Sequence, residues 1–345
     1  MAHIKELTSL RAFAALIVVL FHMYFKEGSE GFLHRMISNG HLGVDLFFIL
    51  SGFILTYVYH SAWSNGSFSY RDFLTNRIAR VYPLHLFVIL LFLAAYQAAA
   101  ILGRSGFEGA DYQALPFHIL GLHAWGFTDA HAWNFPSWSI SAEFFAYLLF
   151  PLAILLMLRM PANVSLVVAL LIFAATHALA ASQGKALTKM MYDFGILRIS
   201  GEFLVGIALC QLFLENKIPV KFARPGLLVV LLGILLGVYF QVNESIIVLM
   251  LAALIFCVAL LSREERSNFL RHPALVYLGE ISYATYMVHI LVLMSARAIL
   301  PASLTNILSL IIIYVCSVLL YHAVEVPARK FLRSLLKREK KHQKA

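Results

Sequence analysis

LTSLRAFAALIVVLFHMYF, residues 7–25, is the stretch on which the fold turns. A membrane-crossing helix needs about 20 mostly apolar residues, and this stretch supplies them with only Arg11 and His22 interrupting. A short basic start precedes it, as in a secretory signal. No small-residue cleavage site follows, and further apolar segments continue along the chain, so it reads as a retained first span. Nine more segments match: about 41–60, 81–102, 139–158, 162–182, 193–214, 225–241, 245–262, 278–299 and 303–324. The weakest two, 225–241 and 245–262, are joined by the short VNES stretch. Gly233 and Gly237 form a GxxxG there, a spacing that permits close helix approach. The expected fold is all-α, a polytopic membrane bundle of about ten helices. It forms one domain over 1–345, ending in a short basic cytoplasmic tail at about 327–345.

Composition agrees. Apolar residues make up 61% of the chain and charged residues 13%, against about 45–50% and about 25% in soluble domains. The formal charge is +9, with 27 Lys and Arg. Nineteen of these fall at the termini and in alternate loops, five in the remaining loops, and Arg11, Arg198 and Arg297 within or at the edge of spans. Cytoplasmic loops carry the excess of Lys and Arg. Both termini are therefore placed in the cytoplasm, which ten spans satisfy. The basic residues are scattered between apolar runs, so membrane lipid and an anionic cofactor are better partners than nucleic acid. The tail RKFLRSLLKREKKHQKA reads as an anchor on anionic lipid. Cys210, Cys257 and Cys316 lie in apolar runs with no disulfide or metal spacing. No GxxxxGK[ST] is present, and no GxGxxG follows a strand.

Ionisable residues within spans cost about 2.5–3.5 kcal/mol at mid-membrane on insertion scales. Arg11 and His22 are eleven residues apart, so roughly 16 Å along a helix axis. Arg11 then sits at the cytoplasmic edge and His22 in the outer half. Asp45 and Glu143 lie near the outer ends of inward-running spans, in GVDLFFILSGF and PSWSISAEFFAYLLFP. Depth alone puts His22, Asp45 and Glu143 in one layer, where a carboxylate would hold the imidazole in one tautomer and make it a base. Arg198 and Glu202 are spaced i,i+4 and suit a mutual pair. His289 is a further polar position in its span. Glu325, at the inner end of the last one, suits a cap or anchor. His41 and Asp45 form an HxxxD that arises easily by chance at a helix start. Trp125, Trp133 and Trp138 suit an interfacial aromatic belt or sugar stacking. His118, His123 and His131 lack metal-ligand spacing. Arg71, Arg77 and Arg80, in RDFLTNRIARVYP, stand at the cytoplasmic mouth of the third span. Arg77 and Arg80 share a helical face, which suits bidentate phosphate binding or an ordinary positive-inside signal.

These residues are similar to those of a known family. The chain resembles the bacterial acyltransferase family 3, membrane O-acyltransferases that decorate surface polysaccharides, O-antigens and Nod-factor-type oligosaccharides. LTSLRAFAALIVVLFH, GHLGVDLFFILSGFILTY, RIAR, PSWSISAEFFAYLLFP, LGEISYATYMVH and VEVPARKFL match its motifs in order across nearly the whole chain. The resemblance implies ten spans in the bacterial inner membrane, an acyl-CoA donor, and functional roles for Arg11, His22, Asp45, Arg77, Arg80 and Glu143. Two departures stand out. Phe144 occupies a place where many members carry a second acid. The chain also ends soon after its last span, where many members continue into a soluble esterase-like domain.

The mechanism this implies starts with acetyl-CoA entering from the cytoplasm, with Arg77, Arg80 and Arg71 on its phosphates and Arg11 at the channel entrance. His22 acts on a hydroxyl of a carbohydrate or lipid-linked glycan, as a general base or, less favoured, as a covalent acyl carrier. Asp45 or Glu143 orients it. Ser139, Ser141 and Tyr147 are candidate oxyanion donors, and Trp138 and His289 complete the substrate-binding set. No metal is expected. The competing class is a transporter or flippase, for which intramembrane charges are also typical. It requires two related halves, and the chain shows no such symmetry.

Overall fold

Lipid offers a backbone no hydrogen-bond partners, so a chain this apolar must satisfy them within helices. The computed structural model describes residues 3–24, 31–103, 110–128 and 131–342. All regular structure among them is helical. Phe25, Lys26 and Arg104, which entered the span and charge readings, lie outside the described residues. The helices are α1 (Lys5–Tyr24), α2 (Phe32–Ser38), α3 (Gly43–Ser64), α4 (Tyr70–Ile101), α5 (Leu115–Leu120), α6 (Trp138–Met157), α7 (Ala162–Ser182), α8 (Gly195–Leu214), α9 (Ala223–Tyr239), α10 (Glu244–Leu261), α11 (Pro273–Ile299), α12 (Ala302–Leu320) and α13 (Val326–His342). Ten helical stretches among the described residues are long and apolar enough to cross a membrane. They correspond one to one with the ten expected spans.

Two helices exceed expectation. α4 runs unbroken for 32 residues through Pro83. That is about 48 Å, against a hydrocarbon core of about 30 Å. Arg71, Arg77 and Arg80 therefore belong to the span's own helix rather than to a loop before it. At the other end of the chain, a π-turn over Tyr321–Glu325 joins α12 to α13 without a break. Val326–His342, expected as a lipid-anchored tail, is a helix packed along α4.

Between helices in lipid there is little hydrophobic drive, so close packing and polar contacts hold them together. α3 crosses α8 where Gly52 and Gly206 face each other's backbones. A Cβ at Gly52 would stand 2.1 Å from the Phe203 carbonyl oxygen, and one at Gly206 2.0 Å from that of Ile49. α1 meets α11 the same way, a Cβ at Gly279 falling 1.8 Å from the Thr8 carbonyl oxygen. α1 and α11 run parallel: Arg271 Nε donates to Glu6 Oε1 at 2.5 Å at one end, and Arg297 donates to the His22 carbonyl at 2.9 Å at the other. The end where α1 begins is called the base below, and the opposite end the top. The GxxxG at Gly233 and Gly237 is not a comparable crossing, because a Cβ at Gly233 would meet only the Met250 side chain, 3.5 Å away.

At the top, residues 110–128 and 131–137 fold over the bundle. Trp133 donates to the Asp111 carbonyl at 2.7 Å and Trp125 to that of Ser141 at 3.1 Å. Asn134 donates to the Met287 carbonyl at 2.9 Å. Under this cap the His118 and His123 rings stack with centroids 4.0 Å apart, and both residues are fully buried. Burial pulls His118 down to about 3, with His85 as a second cause, and pulls His123 well below the usual histidine range.

Two predictions follow from this packing. Gly206→Ala forces the α3–α8 crossing apart and costs about 1–3 kcal/mol or more, read as a lowered melting midpoint in detergent. Gly233→Ala leaves the midpoint unchanged, and equal shifts in both would refute the assigned crossing. The second concerns pH. An unfolded histidine takes up a proton as pH falls through about 6.5, whereas buried His118 does so only near 3. Stability is therefore lost as pH falls below about 6.5, with a slope of up to about 1.4 kcal/mol per pH unit for each such group. His118→Asn makes the fall in melting midpoint between pH 7 and 5 shallower; parallel curves for variant and wild type would sink this assignment.

Candidate active site

Four helices enclose a cavity of about 850 Å³, counted to its open mouth. α1 contributes Arg11 and α3 contributes Ser51. α4 contributes Arg77 and Arg80. Ser139, Glu143 and Tyr147 come from α6. A fifth helix, α11, closes it with Tyr283 and Tyr286. The spacing explains the faces: Arg77 and Arg80 are i,i+3, as are Tyr283 and Tyr286, and Ser139, Glu143 and Tyr147 repeat at i,i+4.

Glu143 is held inside the cavity. Ser51 Oγ donates to its Oε1 at 2.5 Å, and the Tyr147 hydroxyl also lies within its reach. Arg11 stands close to Glu143 and to Glu280. Arg80 is ion-paired with buried Glu325, and its guanidinium lies over the Tyr283 ring, 5.7 Å from the centroid. Tyr283 donates to the Val81 carbonyl at 2.7 Å, fixing α11 to α4 beside the arginines. Arg77 lies over Tyr59 at 5.9 Å, and its buried Nε has no protein partner. Such a donor is available to a ligand oxygen. Arg71, one helical turn or more outside, is exposed and does not line the cavity.

His22 lies beyond the top of this cavity, in the last turn of α1. Its partner is another histidine. His289 Nε2 is 3.2 Å from His22 Nδ1, which also faces the Val18 carbonyl at 2.9 Å. His289 Nδ1 is 2.6 Å from the Tyr286 carbonyl. A carbonyl oxygen only accepts, so each ring carries its proton on Nδ1. His22 Nδ1–H is then shared between Val18 and His289, and His22 Nε2 keeps a free lone pair. Tyr286 connects the two regions. It lines the cavity, accepts from Ser139 Oγ at 2.8 Å and donates to the Pro136 carbonyl at 2.8 Å. Its ring centroid is 5.7 Å from that of His289.

The single layer of His22, Asp45 and Glu143 does not form. Asp45 turns to α8, where its carboxylate takes a bidentate pair from Arg198, at 2.8 Å to Nε and 2.5 Å to Nη2. Both residues are buried, at 0% and 2% exposure. The Gly52–Gly206 crossing faces this side of α3 to α8, so Asp45 cannot reach His22. Arg198 thus pairs with Asp45 rather than with Glu202 as its i,i+4 spacing suggested, and Glu202 lies buried nearby with neither carboxylate oxygen hydrogen-bonded. Trp138, a candidate for sugar stacking, is buried over the Arg198 guanidinium at 5.1 Å. Ser141, a candidate oxyanion donor, is committed to the cap: it donates to the Gly121 carbonyl at 2.7 Å and accepts from the Ala124 amide at 3.0 Å. His41 contacts Glu244 at 3.3 Å. Among the described residues no cluster of His, Cys, Asp and Glu is arranged to hold a metal. Ser51, Tyr283, Tyr286 and Glu280 escaped the sequence reading. The i,i+3 series Tyr283, Tyr286, His289 was the available signal for two of them.

The model of the acyltransferase domain family matches residues 4–322. Acyltransferase MdmB of Streptomyces mycarofaciens is 29% identical over 84% of this chain and 79% of its own. YrhL of Bacillus subtilis (strain 168), provisionally named for peptidoglycan O-acetyl transfer, is 24% identical over 95% of this chain and 55% of its own. Peptidoglycan O-acetyltransferase OatA of Listeria monocytogenes is 24% identical over 49% and 27%. The chain thus spans about half the length of YrhL. No solved structure matches.

Asp45→Ala leaves a buried guanidinium unpaired, a loss of about 3–5 kcal/mol. We expect it to lower the melting midpoint strongly, while His22→Gln, in a half-buried last turn, leaves it within a degree or two. Equal effects on stability would remove the distinction between an Asp45 on which the fold depends and a His22 on which it does not.

Proposed function

The chain belongs to the acyltransferase domain family, and from that premise we propose that it moves an acyl group from acyl-CoA onto a hydroxyl of a carbohydrate. The observation that carries this reading is the cavity in which Arg11, Arg77, Arg80 and Glu143 meet. Phosphate oxygens suit paired guanidiniums, and Arg77 offers a buried N–H without a protein partner. The pantetheine arm then follows the cavity past Ser51 and Glu143 toward Tyr286. The rise from Arg11 to His22 is roughly 16 Å, comparable to an extended arm, so the thioester comes up to the histidine pair from below while the acceptor comes from the top.

At His22 the free Nε2 takes the proton of the acceptor hydroxyl as its oxygen attacks the thioester carbonyl. The carbon–sulfur bond breaks, and the departing thiolate regains the proton from the imidazolium. His289 holds the ring in the tautomer this requires, the part that a carboxylate plays in other bases. Glu143 then serves the cavity wall and balances Arg11, rather than orienting His22. The acceptor is a surface glycan; two of the relatives are named for peptidoglycan. The protein sits in the bacterial inner membrane with its base in the cytoplasm, where acyl-CoA is made.

The test uses purified protein in nanodiscs with labelled acetyl-CoA and glycan extracted from the host. Label passes to the glycan with release of CoA. His22→Ala lowers turnover by about 10²–10⁴-fold with acetyl-CoA affinity retained, and wild-type protein quenched without acceptor carries no acetyl on His22. Arg77→Ala and Arg80→Ala each weaken acetyl-CoA binding roughly ten- to hundredfold, the range for a charge-assisted hydrogen bond. Lysine rescues only partly, because it lacks the bidentate fork. Wild-type protein with no affinity for acetyl-CoA would overturn the donor assignment, and a competent acetyl-His22 the base assignment.

A further inference from the structure

Beside the cavity arginines of α4 runs a second helix, of which the motif VEVPARKFL covers only the start. α13 leaves the π-turn and runs back along α4. Glu325, Arg329 and Arg333 are spaced i, i+4 and i+8, so they share one face. Glu325 pairs with Arg80 and lies 3.8 Å from Arg329. Arg333 lies within electrostatic range of both Arg329 and Arg77. Along the π-turn and α13 the order leading away from Arg80 is Glu325, then Arg329, then Arg333, each step four residues or about 6 Å, while Arg77, a cavity-lining residue, is about 4.5 Å from Arg80 along α4.

Four arginines thus gather around the single carboxylate of Glu325, and their mutual repulsion is relieved by an added anion. Glu325 is already engaged by Arg80, and Glu143 and Glu280 stand by Arg11. Arg333 forms no ion pair among the described residues, and the contact of Arg329 with Glu325 is 3.8 Å long. Arg333 is exposed, so its guanidinium remains open to an incoming ligand.

We infer that Arg329 and Arg333 of α13 form a subsite for a terminal phosphomonoester, the ribose 3′-phosphate of the donor. This rests on the reading that the donor is an acyl-CoA. In that molecule the pyrophosphate lies nearer the pantetheine, and so nearer Arg80 and Arg77. The 3′-phosphate lies on the far ribose and carries roughly −1.5 to −2 charge at neutral pH, which the outer arginines match. The consequence is donor selection: a thioester on pantetheine or on a carrier protein lacks this group and forgoes the contact. An anionic lipid headgroup presents the same phosphate chemistry, so the test must separate the two sources.

Acetyl-CoA and 3′-dephospho-acetyl-CoA are the probes, titrated against full-length protein in nanodiscs of phosphatidylcholine alone and with phosphatidylglycerol added. Wild-type protein prefers acetyl-CoA by roughly ten- to hundredfold in both membranes. Arg333→Ala moves that ratio toward one by weakening acetyl-CoA alone, and Arg333→Lys retains part of it. Arg80→Ala weakens both probes together. Arg329→Ala behaves as Arg333→Ala if it folds; Arg333, exposed and outside the Glu325 pair, decides the matter if it does not. An unchanged ratio in Arg333→Ala overturns the subsite. A change seen only as weaker association with phosphatidylglycerol assigns the arginines to lipid and also overturns it. If wild-type protein binds neither probe, the acyl-CoA reading itself falls.

Discussion

A guanidinium carried into hydrocarbon needs a carboxylate, a ring face or a ligand oxygen, because no water is there to take its hydrogen bonds. The bundle is arranged around this demand. Arg198 is met by Asp45 and by the face of Trp138. Arg80 is met by Glu325 and by the face of Tyr283. Arg11 has Glu143 and Glu280 near it. These pairs connect α3 to α8, α4 to the turn before α13, and α1 to α6 and α11. In a medium that gives helices little hydrophobic reason to associate, they fix which helix faces which. The glycine crossings at Gly52–Gly206 and at Gly279 bring the backbones close enough for the pairs to form.

The same constraint separates two kinds of polar residue that look alike in a sequence. Asp45 is saturated by a bidentate partner and fully buried, so it has no capacity left for a substrate. Arg77 keeps a buried N–H unpartnered, and the His22–His289 pair leaves one imidazole nitrogen free. Unsatisfied groups of this kind are costly in a closed core, and the one on Arg77 lies at the cavity, where a ligand would satisfy it. The division also sets the shape of the site: cations at the base, a neutral histidine pair toward the top, and Tyr286 in contact with both. A donor with charged phosphates and an uncharged reactive end fits such a gradient in polarity.

The π-turn at Tyr321–Glu325 makes the base end possible. A π-turn accommodates an extra residue within a helix, and here it directs Glu325 inward against Arg80 while the helix continues. α13 is thereby drawn onto α4 instead of spreading over the membrane surface. Arg329 and Arg333 come within range of Glu325 and Arg77, and a segment with the composition of a lipid anchor packs against the bundle.

The sequence by itself determined the ten spans, because length and hydropathy are local properties and the bilayer reads each segment separately. It also singled out Arg11, His22, Arg77, Arg80 and Glu143, since an ionisable group is conspicuous in an apolar run. Depth along each helix could be counted from the rise per residue, and it put His22 at the opposite end from Arg11. Rotation about the helix axis could not be counted, and rotation decides partners. Asp45 and His22 face different neighbours, because the glycine faces of α3 and α8 lock together across a separation of 154 residues between Gly52 and Gly206. His289 replaced the expected carboxylate for the same reason: α1 and α11 are joined where Gly279 meets Thr8, 271 residues apart in sequence. Trp138 and Ser141 were drawn into packing by elements that only the assembled bundle brings near. Which polar residues are spent on one another and which remain free is a property of the tertiary contacts, and it is that difference which marks the site.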